Sequence, residues 1–158
     1  MENRQSSLLD GVALFLLMLI TGVFWGTWFT LTRSLNEFPA PEFIHIGKAI
    51  IANVAMPMRI LMPGGIFLMA IAVWTKRRAG TAFYFGLLSV ILIVAVLLVT
   101  LLVLVPIDNN VKTWTEATVP ADFEAIRAKW KSYHAVRTFL SVASFIFFSA
   151  SLLMKNRS

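Results

Sequence analysis

The chain contains no cysteine. That excludes disulfides, thiolate nucleophiles, thiolate metal ligands and iron–sulfur clusters together. Histidine is nearly as scarce: only His45 and His134 are available for imidazole chemistry. Charge is thin too, at 14% of residues, against about 25% in an average soluble domain. There is no glycine-rich loop to cradle a phosphate, no internal repeat and no low-complexity tract.

What the chain has in excess is apolar surface. Of its 158 residues, 58% are hydrophobic, more than a single domain of this size could hide from water. The apolar residues gather into segments at about 11–31, 42–74, 82–107 and 134–154. Each is long enough to cross about 30 Å of hydrocarbon, which takes roughly 20 helical residues. The expectation is an all-α, integral membrane four-helix bundle forming one domain over residues 1–158. A β-barrel would need short alternating strands instead. The polar start, Met1 to Asp10, precedes no small-residue cleavage site and reads as retained.

The second segment is too long for one crossing, and it carries His45, Lys48, Asn53, Arg59, Pro57 and Pro63-Gly64-Gly65. A crossing from about Met56 to Trp74, with a proline kink, leaves 42–55 to project above the membrane or fold against the other helices. Polar excursions are expected at about 32–41 and 108–133, with Asp122 placed to start a helix. Trp25 and Trp28 suit an interfacial aromatic belt. Gly22 and Gly26, spaced Gly-xxx-Gly, suit a close helix contact.

The net charge of +6 does not point to nucleic acid, because the basic residues sit in small groups at the ends of apolar segments. That is where an anionic bilayer surface draws them. Arg4, Lys76, Arg77, Arg78, Lys155 and Arg157 crowd short segments on one side, whereas the basic residues of the other side are diluted over longer loops. This places both termini of a multi-pass protein in the cytoplasm and the excursions on the periplasmic, extracellular or lumenal side.

Trp130, His134, Arg137, Ser141 and Ser144 follow steps of 4, 3, 4 and 3, so they share one face of the fourth helix. His45, Asn53 and Arg59 are near in phase on the second. Ionisable groups in membrane helices avoid lipid, so the two polar stripes are expected to face each other across an outer-facing pocket. His45 and His134 could there ligate haem iron, or a copper or iron ion with Glu42 or Asp108. Cofactor-free chemistry stays open, with His134 as general base. Trp25, Trp28, Trp114, Trp130 and Tyr133 could line a pocket for a flat apolar ligand.

Val105-Pro106-Ile107-Asp108-Asn109-Asn110, then Trp114, then Trp130-Lys131-Ser132-Tyr133-His134-Ala135-Val136-Arg137, resemble the anthrone oxygenase-like family of small four-helix membrane proteins. That family's pattern is a Pro-x-Asn-type end of the third helix, a polar excursion, and Trp-x-x-x-His-x-x-Arg opening the fourth. A glutamine-and-asparagine pair of its second helix is altered here, around His45 to Asn53. The resemblance implies an oxidase or oxygenase acting on a lipophilic, aromatic small molecule with molecular oxygen. It implies His134 as acid/base or ligand, Arg137 and Arg59 as oxyanion stabilisers, Asn110 and Asn53 as substrate contacts, and Trp114 and Trp130 as pocket wall. The alternatives are a non-catalytic subunit or assembly partner of a larger complex, a homo-oligomer, or a small-lipophile transporter. Four helices without a repeat make a poor alternating-access machine.

Overall fold

The computed structural model describes residues 2–154, with side chains from Ser6 onward. The Arg4 side chain, Lys155 and Arg157, which enter the orientation argument, lie outside the described residues. Those residues form helices without a strand: α1 (Glu2–Thr30), a 3-10 turn (Thr32–Glu37), α2 (Ala40–Thr75), α3 (Thr81–Val99), a π turn (Thr100–Leu104), α4 (Val105–Thr113) and α5 (Phe123–Leu153). α3, the π turn and α4 form one rod, so four helical rods are long and apolar enough to cross a membrane. In hydrocarbon a backbone must satisfy its own polar groups, and helices do so locally.

The starts and stops follow local chemistry. Pro39 is extended and Pro41 occupies the first turn of α2, where a missing N–H costs nothing. α2 then continues through Pro57 and Pro63 to Thr75. Gly80, with φ of 56°, turns the chain into α3. Asp122 caps α5 by position, with Glu124 in its first turn, where acidic groups suit the helix dipole.

α1 packs on α2 and α5, and α3 packs on α5 and α2, closing a four-membered ring. α3 is secured to α5 by hydroxyls as well as by apolar contact: Ser89 and Ser144 donate to each other's carbonyls at 2.8 and 2.9 Å, and Ser151 donates to the Ala82 carbonyl. Lys76 pairs with Asp10 where α1 starts and α2 ends.

Two cores result. One, around Leu17, Phe24, Met62, Met69, Ile93 and Phe148, fills the crossing region. The other, around Leu35, Phe43, Leu104, Trp114, Phe123 and Trp130, lies beyond it toward the long excursions. The 36 residues of α2 span about 54 Å, against about 30 Å of hydrocarbon. α2 is thus longer than one crossing, and the second core, packed around its N-terminal half, is called the cap below.

Two expectations change. The polar excursion expected over 108–133, with a helix starting at Asp122, is helical at both ends: the third rod runs to Thr113 and α5 begins at Phe123, leaving 114–122 as the connection. Phe123, Arg127 and Trp130 are buried at helical spacing, so the cap core extends the helix beyond its lipid-facing portion. Gly22 and Gly26 also make no close contact, since an added Cβ at either meets nothing within 4 Å. Tight approach occurs instead at Gly65, where a Cβ would meet Ile20 at 2.9 Å, and at Gly86, where it would meet Val73 at 2.7 Å.

Candidate functional site

The polar face of α5 is buried as its spacing predicts: Trp130, His134, Arg137, Ser141 and Ser144 all point into the bundle. They fall where the crossing core meets the cap core. Phe24 of α1 closes the site on the crossing side, with the Arg137 guanidinium 4.1 Å from its ring centroid. On the cap side the Trp130 indole lies against His134, ring centroids 4.1 Å apart, and meets the edge of Phe43 from α2 at 5.6 Å. Asp108 of α4 supplies the carboxylate. Its Oδ1 accepts from Trp130 Nε1 at 2.8 Å, and it stands within electrostatic reach of Arg137.

The hydrogen bonding assigns roles. Arg137 Nη2 stands 3.0 Å from His134 Nδ1. A guanidinium only donates, so Nδ1 accepts and the ring proton resides on Nε2. His134 Nε2 and Arg137 Nε are both buried without a partner. Buried donors normally find one, and an unmet donor costs stability. Each is an N–H that an acceptor oxygen could meet. With Nδ1 engaged by Arg137, the free position of the His134 ring is Nε2–H.

The donor set does not fit a haem or metal. His45 is exposed. Phe43 of the same helix points at Trp130, and two residues along a helix turn the side chain by about 200°, so His45 faces away from His134. A ligating histidine normally donates its second N–H to a carboxylate or carbonyl, whereas Nδ1 here faces a guanidinium. No group of three His, Cys, Asp or Glu among the described residues could hold an ion.

Of the other residues singled out, Trp114 is buried in the cap core against Phe123, and its carbonyl accepts from Lys48 at 2.6 Å. Asn53, Arg59 and Asn110 are exposed. The two polar stripes do not face each other. α2 turns Phe43, Ile44, Gly47, Ile51, Met58 and Met62 inward; that apolar area dominates, and its polar stripe stays outside the bundle. Sequence reading gave Phe24 and Phe43 no role, assigned Asp108 only to a metal, and read Arg127 as part of a polar excursion. Arg127 was within reach, because one more step of 3 back from Trp130 arrives at it. Buried in the cap, it donates to the Leu35 and Phe38 carbonyls at 3.2 and 2.8 Å.

A family model described as anthrone oxygenase matches residues 49–147. The match takes in Asp108, Trp130, His134 and Arg137 and leaves His45 outside. No curated protein and no solved structure matches the chain.

Proposed function

The chain belongs to the anthrone oxygenase family, and from that premise we propose that it is a membrane oxygenase oxidising a lipophilic aromatic molecule with dioxygen at the Trp130–His134–Arg137 site. The observation that carries this reading is the pair of buried, partnerless donors, His134 Nε2–H and Arg137 Nε–H. An activated methylene flanked by aromatic rings and conjugated to a ketone becomes an enolate on losing a proton to a water molecule, an acidity that the two donors would raise by holding the enolate oxygen. Its charge rests on the oxygen, which the two donors would receive. Donors preset where charge develops are the strongest single catalytic device available to such a site.

The enolate is electron-rich and gives an electron to dioxygen. Across the whole reaction CH2 and O2 become C=O and H2O, with the substrate carbon oxidised and dioxygen reduced. The rings of Trp130, Phe24 and Phe43, packed around the His134–Arg137 pair, would part to admit a flat ligand. The junction of crossing and cap stands near the bilayer surface, where a lipophile with a polar oxygen concentrates.

The test is dioxygen uptake by the protein purified in detergent, with a panel of anthrone-type ketones. His134→Ala and Arg137→Ala should each lower kcat by roughly 10²–10³-fold, the loss typical of removing one oxyanion donor. Wild-type protein that consumes no dioxygen on any of the panel, or a double variant that keeps its rate, would overturn the reading in favour of a non-catalytic membrane partner.

A further inference from the structure

The two donors of the site do not fix their own orientation. We propose that Asp108 is a positioning residue that does so through Trp130. For its kinetic test the proposal rests on the oxygenase reading above; for its second test it rests on geometry alone.

Asp108 Oδ1 accepts the Trp130 indole N–H at 2.8 Å. Trp130 is 1% exposed, clasped between the Phe43 edge and the His134 ring. Packing sets where the indole lies, and the hydrogen bond sets which way round it lies. The indole then limits the plane of His134, whose Nδ1 is tied to Arg137. One chain of contacts thus runs from α4 through three side chains of α5. Arg137 and Trp130 can only donate, and His134 accepts through Nδ1 alone, already engaged by Arg137. Asp108 is therefore the acceptor that the indole N–H can find in this cluster. It also brings a counter-charge toward Arg137. Its helix is reached through the π turn Thr100–Leu104, and such turns recur at functional sites because they re-aim the residues that follow.

What Trp130 needs is a hydrogen-bond acceptor, which an amide oxygen also provides. Asp108→Ala removes the acceptor, Trp130→Phe removes the donor, and Asp108→Asn keeps the bond without the charge. Misplacement of about 1 Å can cost about 10²-fold in rate. Asp108→Ala and Trp130→Phe should each lower kcat roughly tenfold to a hundredfold with KM little changed. Asp108→Asn should restore kcat to within about threefold. The double variant Asp108→Ala/Trp130→Phe should be no slower than the worse single one, because coupled residues are not additive. In the same samples the indole ¹H–¹⁵N resonance that vanishes in Trp130→Phe should persist in Asp108→Asn and move in Asp108→Ala. An Asn variant as slow as the Ala variant would overturn the proposal and make the charge itself the essential feature. So would additive losses, or an indole resonance indifferent to Asp108→Ala. If wild-type protein oxidises nothing, the oxygenase reading falls, and the indole resonance still decides the Asp108–Trp130 link.

Discussion

Arg137 is the residue the fold has most reason to avoid. It is 8% exposed, its Nε has no partner, and its protein contacts are one imidazole nitrogen, the face of Phe24 and a more distant carboxylate. Buried charges without full pairing cost stability, and replacing them by apolar groups of similar volume is often neutral or stabilising. Arg137→Met should therefore leave the thermal midpoint in detergent unchanged or higher, while lowering dioxygen uptake at least about 10²-fold. Such opposition between stability and activity marks a group kept for function. A midpoint several degrees lower would mean that the cation–π and histidine contacts hold the bundle together. At this scale the sequence was half legible. The 3-4 spacing placed Trp130, His134 and Arg137 on one face, but spacing along one helix does not reveal the Phe24 ring beneath Arg137 or the Asp108 carboxylate beside Trp130.

Among the elements, the contact between α3 and α5 depends on small residues. Helices in lipid lose the usual hydrophobic drive to associate and rely on close packing and interhelical hydrogen bonds. Gly86 brings α3 close to its neighbours: a Cβ there would meet Val73 Cγ2 at 2.7 Å and Ser151 Oγ at 3.0 Å. Val73 is β-branched and turns aside poorly. Gly86→Ala should cost about 1–3 kcal/mol, as overpacking does, and lower the thermal midpoint measured in detergent. Gly22→Ala and Gly26→Ala, with open space around both, should not. The equal appearance of these glycines in the sequence hides the difference, because a Gly-xxx-Gly spacing does not say which neighbour it meets.

For the whole molecule, the cap is the distinguishing feature. Lys48 holds the end of α4, and Arg127 holds the strap between α1 and α2, each through backbone carbonyls. The absence of native cysteine makes its sidedness directly measurable with single introduced thiols. With the cap outside, Glu116→Cys on the α4–α5 connection should react with a membrane-impermeant maleimide in intact cells. Arg78→Cys in the α2–α3 turn should react only after lysis. The reverse pattern would turn the cap inward and void the reading taken from the positive charges.

The four crossings, the helical class, the Asp122 start of α5 and the buried face carrying His134 were determined by the sequence itself. Segment length, hydropathy and periodicity are local quantities, and hydrocarbon leaves a chain little choice but helix. Only the tertiary structure decided which stripe turns inward. α2 and α5 both carry polar residues at helical spacing, yet α5 buries its own while α2 leaves His45, Asn53 and Arg59 exposed. The choice depends on the apolar area each face can bury against its neighbours, and on how far each helix rises above the hydrocarbon. The hydrogen-bonding role of His134 was likewise decided across elements and turns: it becomes a donor because a guanidinium, one turn away and pressed onto a ring from α1, takes its other nitrogen.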